Sequence, residues 1–159
     1  RAGQAVLAAE RSDAPAALFR SQGGSALEVV TPADGGILGS GVQDLALSPD
    51  GQRLYVASTS LGYVTVLDAA TLRPLGQLDG GGSPTAVVLS PDGQTAYVCD
   101  RKGRVDRFDT ATFLRAGTLA LPEPPLHAAL SPDGKRLFVQ LARGVLIHDT
   151  DAMSPAAPE

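Results

Sequence analysis

The chain has 159 residues, 43% hydrophobic and 19% charged, which suits one folded domain and excludes wholesale disorder. A net charge of −4 and a pI near 5.1 argue against nucleic acid as the main partner, which asks for a basic face. No apolar run approaches the roughly 18 residues of a membrane-spanning helix, and a single Cys99 allows no internal disulfide and has no metal-ligand spacing.

The chain starts at Arg1, so an upstream segment is expected to have been removed, by processing or by the choice of the expressed piece. Ala2–Glu10 reads AGQAVLAAE and aligns with DGQRLYVAS at Asp50–Ser58. Ser25–Gly39 aligns with Gly62–Gly76, and Thr31 stands where later copies carry Asp. Residues 2–41 therefore read as a degenerate copy of the downstream unit, with an insertion near Arg11–Arg20 that includes Phe19.

The next unit, about 42–83, is clearer. A short apolar run at Leu45–Leu47 leads into Ser48-Pro49-Asp50-Gly51 and a second run at Leu54–Ala57. Pro presets φ for a turn, Asp can accept a bond from the backbone two residues on, and Gly accepts positive φ, so this reads as a hairpin. A third run, Tyr63–Leu67, ends at Asp68, and the DAAT that starts there suits an Asx turn. A fourth run follows in TLRPLGQL, and Gly80–Pro84 reads as a flexible linker.

The unit recurs over 84–125 and, without its fourth strand, over 126–150. Ser-Pro-Asp-Gly returns at Ser90–Gly93 and Ser131–Gly134, flanked by the runs Val87–Leu89 and Ala96–Cys99, then Ala128–Leu130 and Leu137–Gln140. The third runs, Val105–Phe108 and Val145–His148, end at Asp109 and Asp149. Residues 151–159 form a Pro/Ala-rich tail. Helices are excluded because every run is short, β-branched or aromatic, and stopped by Gly or Pro every 8–12 residues. Four short antiparallel strands per roughly forty residues describe a β-propeller blade. The fold expected is all-β, with about 3.5 blades in one propeller segment over 1–150. An open arc leaves unpaired edges and an uncovered blade face. The chain is thus expected to be a piece of a longer propeller, or to be completed by a protein partner or a second copy.

The quoted Ser48–Ala57 and Tyr63–Asp68, with Ser90–Cys99 and Ser131–Val139 as sister copies, resemble the YVTN-type β-propeller repeat family over nearly all of 42–150 and thinly over 2–41. The resemblance implies a propeller fold and an exported location, periplasmic or cell-surface. Its members range from surface proteins and binding modules to lactonase-like enzymes, amine dehydrogenase subunits and haem-d nitrite reductase domains. Fold-level analogy does not choose among these activities. The copy RKGRVDRFD at Arg101–Asp109 departs from the family by its charge.

Candidate chemistry is sparse. His127 opens an innermost strand and can face the central channel; His148 takes the place of Phe108. Neither has a second histidine at zinc spacing. Asp50, Asp92 and Asp133, like Asp68, Asp109 and Asp149, recur with the repeat, which marks them as turn-formers. Gly80-Gly81-Gly82 lacks the Lys and helix of a phosphate loop, and no G-x-S-x-G occurs. The feature that breaks the repeat is DRKGRVDR, with Arg101, Lys102, Arg104 and Arg107, a candidate docking spot for an acidic protein, although Asp100 and Asp106 are interleaved. The function expected is a non-catalytic scaffold without a cofactor. The alternative is part of a propeller enzyme, either a lactonase-like hydrolase or an amine dehydrogenase or haem-type oxidoreductase.

Overall fold

The computed structural model describes residues 5–9, 17–21, 27–30 and 41–155, with side chains from residue 41 onward. It contains four antiparallel sheets. The first holds β1 (Ala5–Ala9), β2 (Ala17–Ser21) and β3 (Leu27–Val30), and the second β4 (Val42–Leu47), β5 (Arg53–Ser58), β6 (Tyr63–Asp68) and β7 (Pro74–Leu78). The third holds β8 (Pro84–Leu89), β9 (Thr95–Asp100), β10 (Arg104–Asp109) and β11 (Arg115–Ala120). The fourth holds β12 (His127–Leu130), β13 (Arg136–Leu141) and β14 (Gly144–Asp149). Strands follow chain order within each sheet. The first strands of successive sheets are neighbours, β4 beside β8 and β8 beside β12, as in blades set around an axis.

Two local motifs recur in the second, third and fourth sheets. In the first, Ser48, Ser90 and Ser131 each donate from Oγ to Asp50, Asp92 or Asp133 at 2.5 Å. The same hydroxyls accept the N–H of Arg53, Thr95 and Arg136 at 2.9 Å. Gly51, Gly93 and Gly134 all sit at φ 72°, a left-handed conformation that glycine adopts without penalty. In the second motif, Asp68 Oδ1 accepts the N–H of Ala70 and Thr71 and the Thr71 hydroxyl; Asp109 does the same with Ala111 and Thr112. Four residues past each Asp an apolar side chain, Leu72, Phe113 or Met153, tucks inward.

The core lies between blades, because the second and third sheets are apolar on both faces. Tyr55, Ala57, Val64 and Val66 of the second sheet pack with Val87, Ala96, Val98 and Phe108 of the third. The opposite face of the third sheet, with Ala86, Tyr97, Cys99 and Val105, packs with Ala128, Leu137 and Val139 of the fourth.

The structure departs from the sequence reading in three places. The expected insertion near Arg11–Arg20 ends in a strand, since Ala17–Ser21 pairs with both β1 and β3. Leu27–Val30 is consequently the third strand of a sheet whose middle strand has no repeat signature. Residues 11–16 and 31–40, including Thr31 and Gly39, lie outside the described residues. Second, the tail is structured up to Pro155: a 3₁₀ turn at Thr150–Ala152 leads to β15 (Ser154–Pro155), which pairs with Gly117 and Thr118 on the outer edge of β11. Third, the Gly80–Gly82 linker is pinned rather than free, as its contacts show.

Candidate functional site

The turn between β9 and β10 carries the charge cluster that breaks the repeat. Its carboxylates turn inward, Asp100 and Asp106 being 2% and 1% exposed. Asp100 Oδ2 accepts the Ser83 N–H at 2.8 Å, and Oδ1 accepts the Lys102 N–H. Arg104 Nε pairs with Asp106 Oδ2 at 2.8 Å, while its Nη2 donates to the Gly80 carbonyl. Lys102 Nζ donates to the Gly81 carbonyl, and the Thr118 hydroxyl fills Asp106 Oδ1 at 2.7 Å. Buried carboxylates need such partners. The triglycine is what lets the linker reach them: a Cβ on Gly82 would lie 1.6 Å from Asp100 Oδ2, and one on Gly80 2.6 Å from Asp106 Oδ2.

The four basic residues therefore split. Arg101 and Lys102 are exposed at the tip, with Lys102 leaning on the linker. Arg104 is part of the clamp. Arg107 lies toward the far end of β10, where Nη1 and Nη2 reach the Thr150 and Ala116 carbonyls at 3.4 Å. The interleaved Asp100 and Asp106 were the sequence signal for this split, because residues two apart on a strand share a face.

Arg107 also lines a polar cleft of about 430 Å³ between the third and fourth sheets, with Tyr97, Asp92 and Asp133. The equivalent cleft between the second and third sheets, about 520 Å³, holds Arg53, Tyr55, Asp50 and Asp92. There Arg53 donates to the Thr110 carbonyl at 2.6 Å and lies 5.7 Å from the centre of the Phe113 ring. The Ser hydroxyls, then backbone N–H groups, hold Asp50, Asp92 and Asp133 below the usual carboxylate range; for Asp68 and Asp109 the Thr71 and Thr112 N–H groups do so first. Carboxylates engaged in this way serve the turns.

The histidines do not converge. His127 is exposed, beside Gln140 and Val145 in a shallow depression of about 360 Å³ on the outward face of the fourth sheet. His148 is half-buried on the opposite face, its Nε2 without a partner among the described residues. Among the described residues no group of three His, Cys, Asp or Glu is placed to hold a metal ion.

No family model matches the sequence. The chain is 34% identical over 127 residues to the Seven-bladed beta-propeller protein Rv1057 of Mycobacterium tuberculosis, a match spanning 75% of this chain and 30% of that protein. It is 31% identical over 99 residues to the protein YncE of Salmonella typhimurium, across 62% of this chain and 28% of that one. The chain thus spans less than a third of the length of these relatives. Among solved structures, Kuenenia stuttgartiensis Hydrazine Synthase superposes with a TM-score of 0.68 at 26% identity, over 86% of this chain and 38% of that one. The Cps50 (Swd1) beta-propeller domain of Myceliophteria thermophila superposes at 0.64 with 17% identity, over 72% of this chain and 38% of that one, a likeness of fold alone. Sheet order, inter-sheet packing and these likenesses agree that the chain folds as part of a β-propeller.

Proposed function

We propose that this chain is a non-catalytic propeller scaffold of the YVTN type, working outside the cytoplasm in a larger assembly and docking an acidic protein through the Arg101–Lys102 tip. The observation that supports this reading is where the repeat is broken. The Ser and Asp residues that recur with the period are engaged in the blades' own bonds, while Arg101 and Lys102 project from a turn fixed from below by the Asp100–Arg104–Asp106 clamp. A rigidly held pair of cations loses little freedom on binding and steers an acidic partner. Replacing Arg101 and Lys102 together by Glu should lower partner capture at low salt by about fivefold or more and flatten its salt dependence. Unchanged co-purification at low salt refutes the docking site. Arg104 is left intact in this test, because its loss would disturb the clamp itself.

A second reading, part of a propeller enzyme of hydrolase or oxidoreductase type, draws support from the likeness to hydrazine synthase. A haem or quinone absorbance band, or a stoichiometric metal by elemental analysis, in the particle isolated from cells would favour it over the scaffold.

A further inference from the structure

Among the described residues two fully buried polar side-chain atoms make no hydrogen bond, the Tyr55 hydroxyl and His148 Nε2. Tyr55 is 0% exposed and forms the most deeply buried wall of the cleft between the second and third sheets. A buried hydroxyl without a partner carries its full desolvation cost. Burial also pushes its titration up, with the Arg53 guanidinium opposing, so the group is a protonated phenol able to donate and to accept. The repeat does not demand this arrangement. Tyr97 stands at the same place in the third sheet, seven residues past the serine of its turn, and leaves no such orphan. Five residues past that serine the second sheet has Arg53 and the third has Thr95, so the two clefts differ in what they offer a ligand.

The mouth of the cleft is charged in a particular way. Asp50 and Asp92 both line it. Each commits Oδ1 to its own turn, accepting the hydroxyl of Ser48 or Ser90 and the N–H of Gln52 or Gln94. Among the described residues nothing bonds to either Oδ2. The serine hydroxyls, then the glutamine N–H groups, hold both carboxyls below the usual range, so both are ionised at neutral pH. Arg53 spends Nη1 on the Thr110 carbonyl at 2.6 Å, which fixes the guanidinium and leaves Nε and Nη2 without a bond among the described residues.

This combination selects a ligand by charge. An anion would meet Asp50 and Asp92, and a cation would meet Arg53. A neutral hydroxyl suits all three, donating to an aspartate Oδ2 while accepting from the guanidinium. A volume of about 520 Å³ lies in the range of small-molecule pockets. We propose that the cleft between the second and third sheets binds a neutral polyhydroxylated ligand of the sugar class. One ligand hydroxyl pairs with the Tyr55 hydroxyl, and its neighbours are shared between the Asp50 and Asp92 carboxylates and Arg53. The site is independent of the Arg101–Lys102 tip, because the cleft opens among the Ser-Pro-Asp-Gly turns and the tip is the turn between β9 and β10.

The test is saturation-transfer NMR on the particle isolated whole from cells, with the methyl glycosides of glucose, galactose and mannose as probes at millimolar concentration. At least one should bind. Tyr55→Phe removes only the hydroxyl and should weaken that binding by about fivefold or more, with no fall in the melting temperature of the ligand-free particle. Asp50→Asn keeps the turn-forming Oδ1 and removes the charge, and it should weaken binding as well, which supplies a second variant. Tyr97→Phe, in the neighbouring cleft, should change nothing. Weakening by Tyr55→Phe or Asp50→Asn with Tyr97→Phe inert supports the site. Transfer to none of the three glycosides overturns the proposal, as does an affinity that neither Tyr55→Phe nor Asp50→Asn alters. Equal weakening by Tyr97→Phe also overturns it, since the sugar then sits elsewhere. A Tyr55→Phe effect confined to the melting temperature does so too, because the hydroxyl then serves the fold through buried water.

Discussion

Cys99 sits in β9 among Ala128, Leu137 and Val139, and burial, followed by the charges of Asp44 and Asp100, pushes its thiol up to about 12. A thiol so disposed is neither a nucleophile nor a ligand at neutral pH, because the thiolate is the reactive form. The expected outcome is no modification by iodoacetamide at pH 8 in the folded protein and full modification in denaturant, read by intact mass. Appreciable labelling of the folded chain would mean that the interface of the third and fourth sheets opens. Residue by residue, then, the buried carboxylates and the thiol are held by the fold's own bonds and packing, while Arg101 and Lys102 stand exposed at the tip.

At the scale of the element, the Ser-Pro-Asp-Gly turn has a local and a non-local part, which two glycines separate. Gly51 and Gly134 share φ 72°, but a Cβ at Gly51 meets nothing within 4 Å, whereas at Gly134 it meets Pro91 at 3.0 Å. Gly51→Ala should cost about 1–2 kcal/mol, the strain of a left-handed Ala, while Gly134→Ala should cost about 1 kcal/mol more for crowding the adjacent turn. Equal losses in urea melts would show that the turns do not nest. This division explains what the sequence could reveal. The turns were legible because Ser, Pro, Asp and Gly act within six residues of one another, and the hairpins follow from them. The clamp was not, because Arg104 and Lys102 hold the Gly80 and Gly81 carbonyls and Asp100 holds the Ser83 N–H, partners far apart in sequence that only the folded chain brings together. β2 was missed because it is bounded by no such turn. β15 was missed because two residues carry no periodicity, and their partner Gly117 is named only by the register of β11.

Across the whole molecule, stability in a chain of stacked blades is approximately a sum of blade terms and nearest-neighbour interfaces, so the worth of an aromatic depends on which interface it fills. Phe108 is 1% exposed between the second and third sheets. Phe138 occupies the face of the fourth sheet on which Val145 and Ile147 are mostly exposed. Phe108→Ala removes a buried ring from a packed interface and should cost about 3–5 kcal/mol. Phe138→Ala, on a face with nothing across from it among the described residues, should cost about 1 kcal/mol or less. The order is expected to narrow in the particle isolated from cells, where a blade over the fourth sheet would make Phe138 an interface residue like Tyr55 and Tyr97. The decisive quantity is therefore a difference of differences: the loss of melting temperature for each variant, measured in the isolated chain and again in the particle. A Phe138→Ala penalty that stays small in both would place that face permanently in solvent. A penalty that grows in the particle alone would show that the stability of the fourth blade is completed from outside these 159 residues.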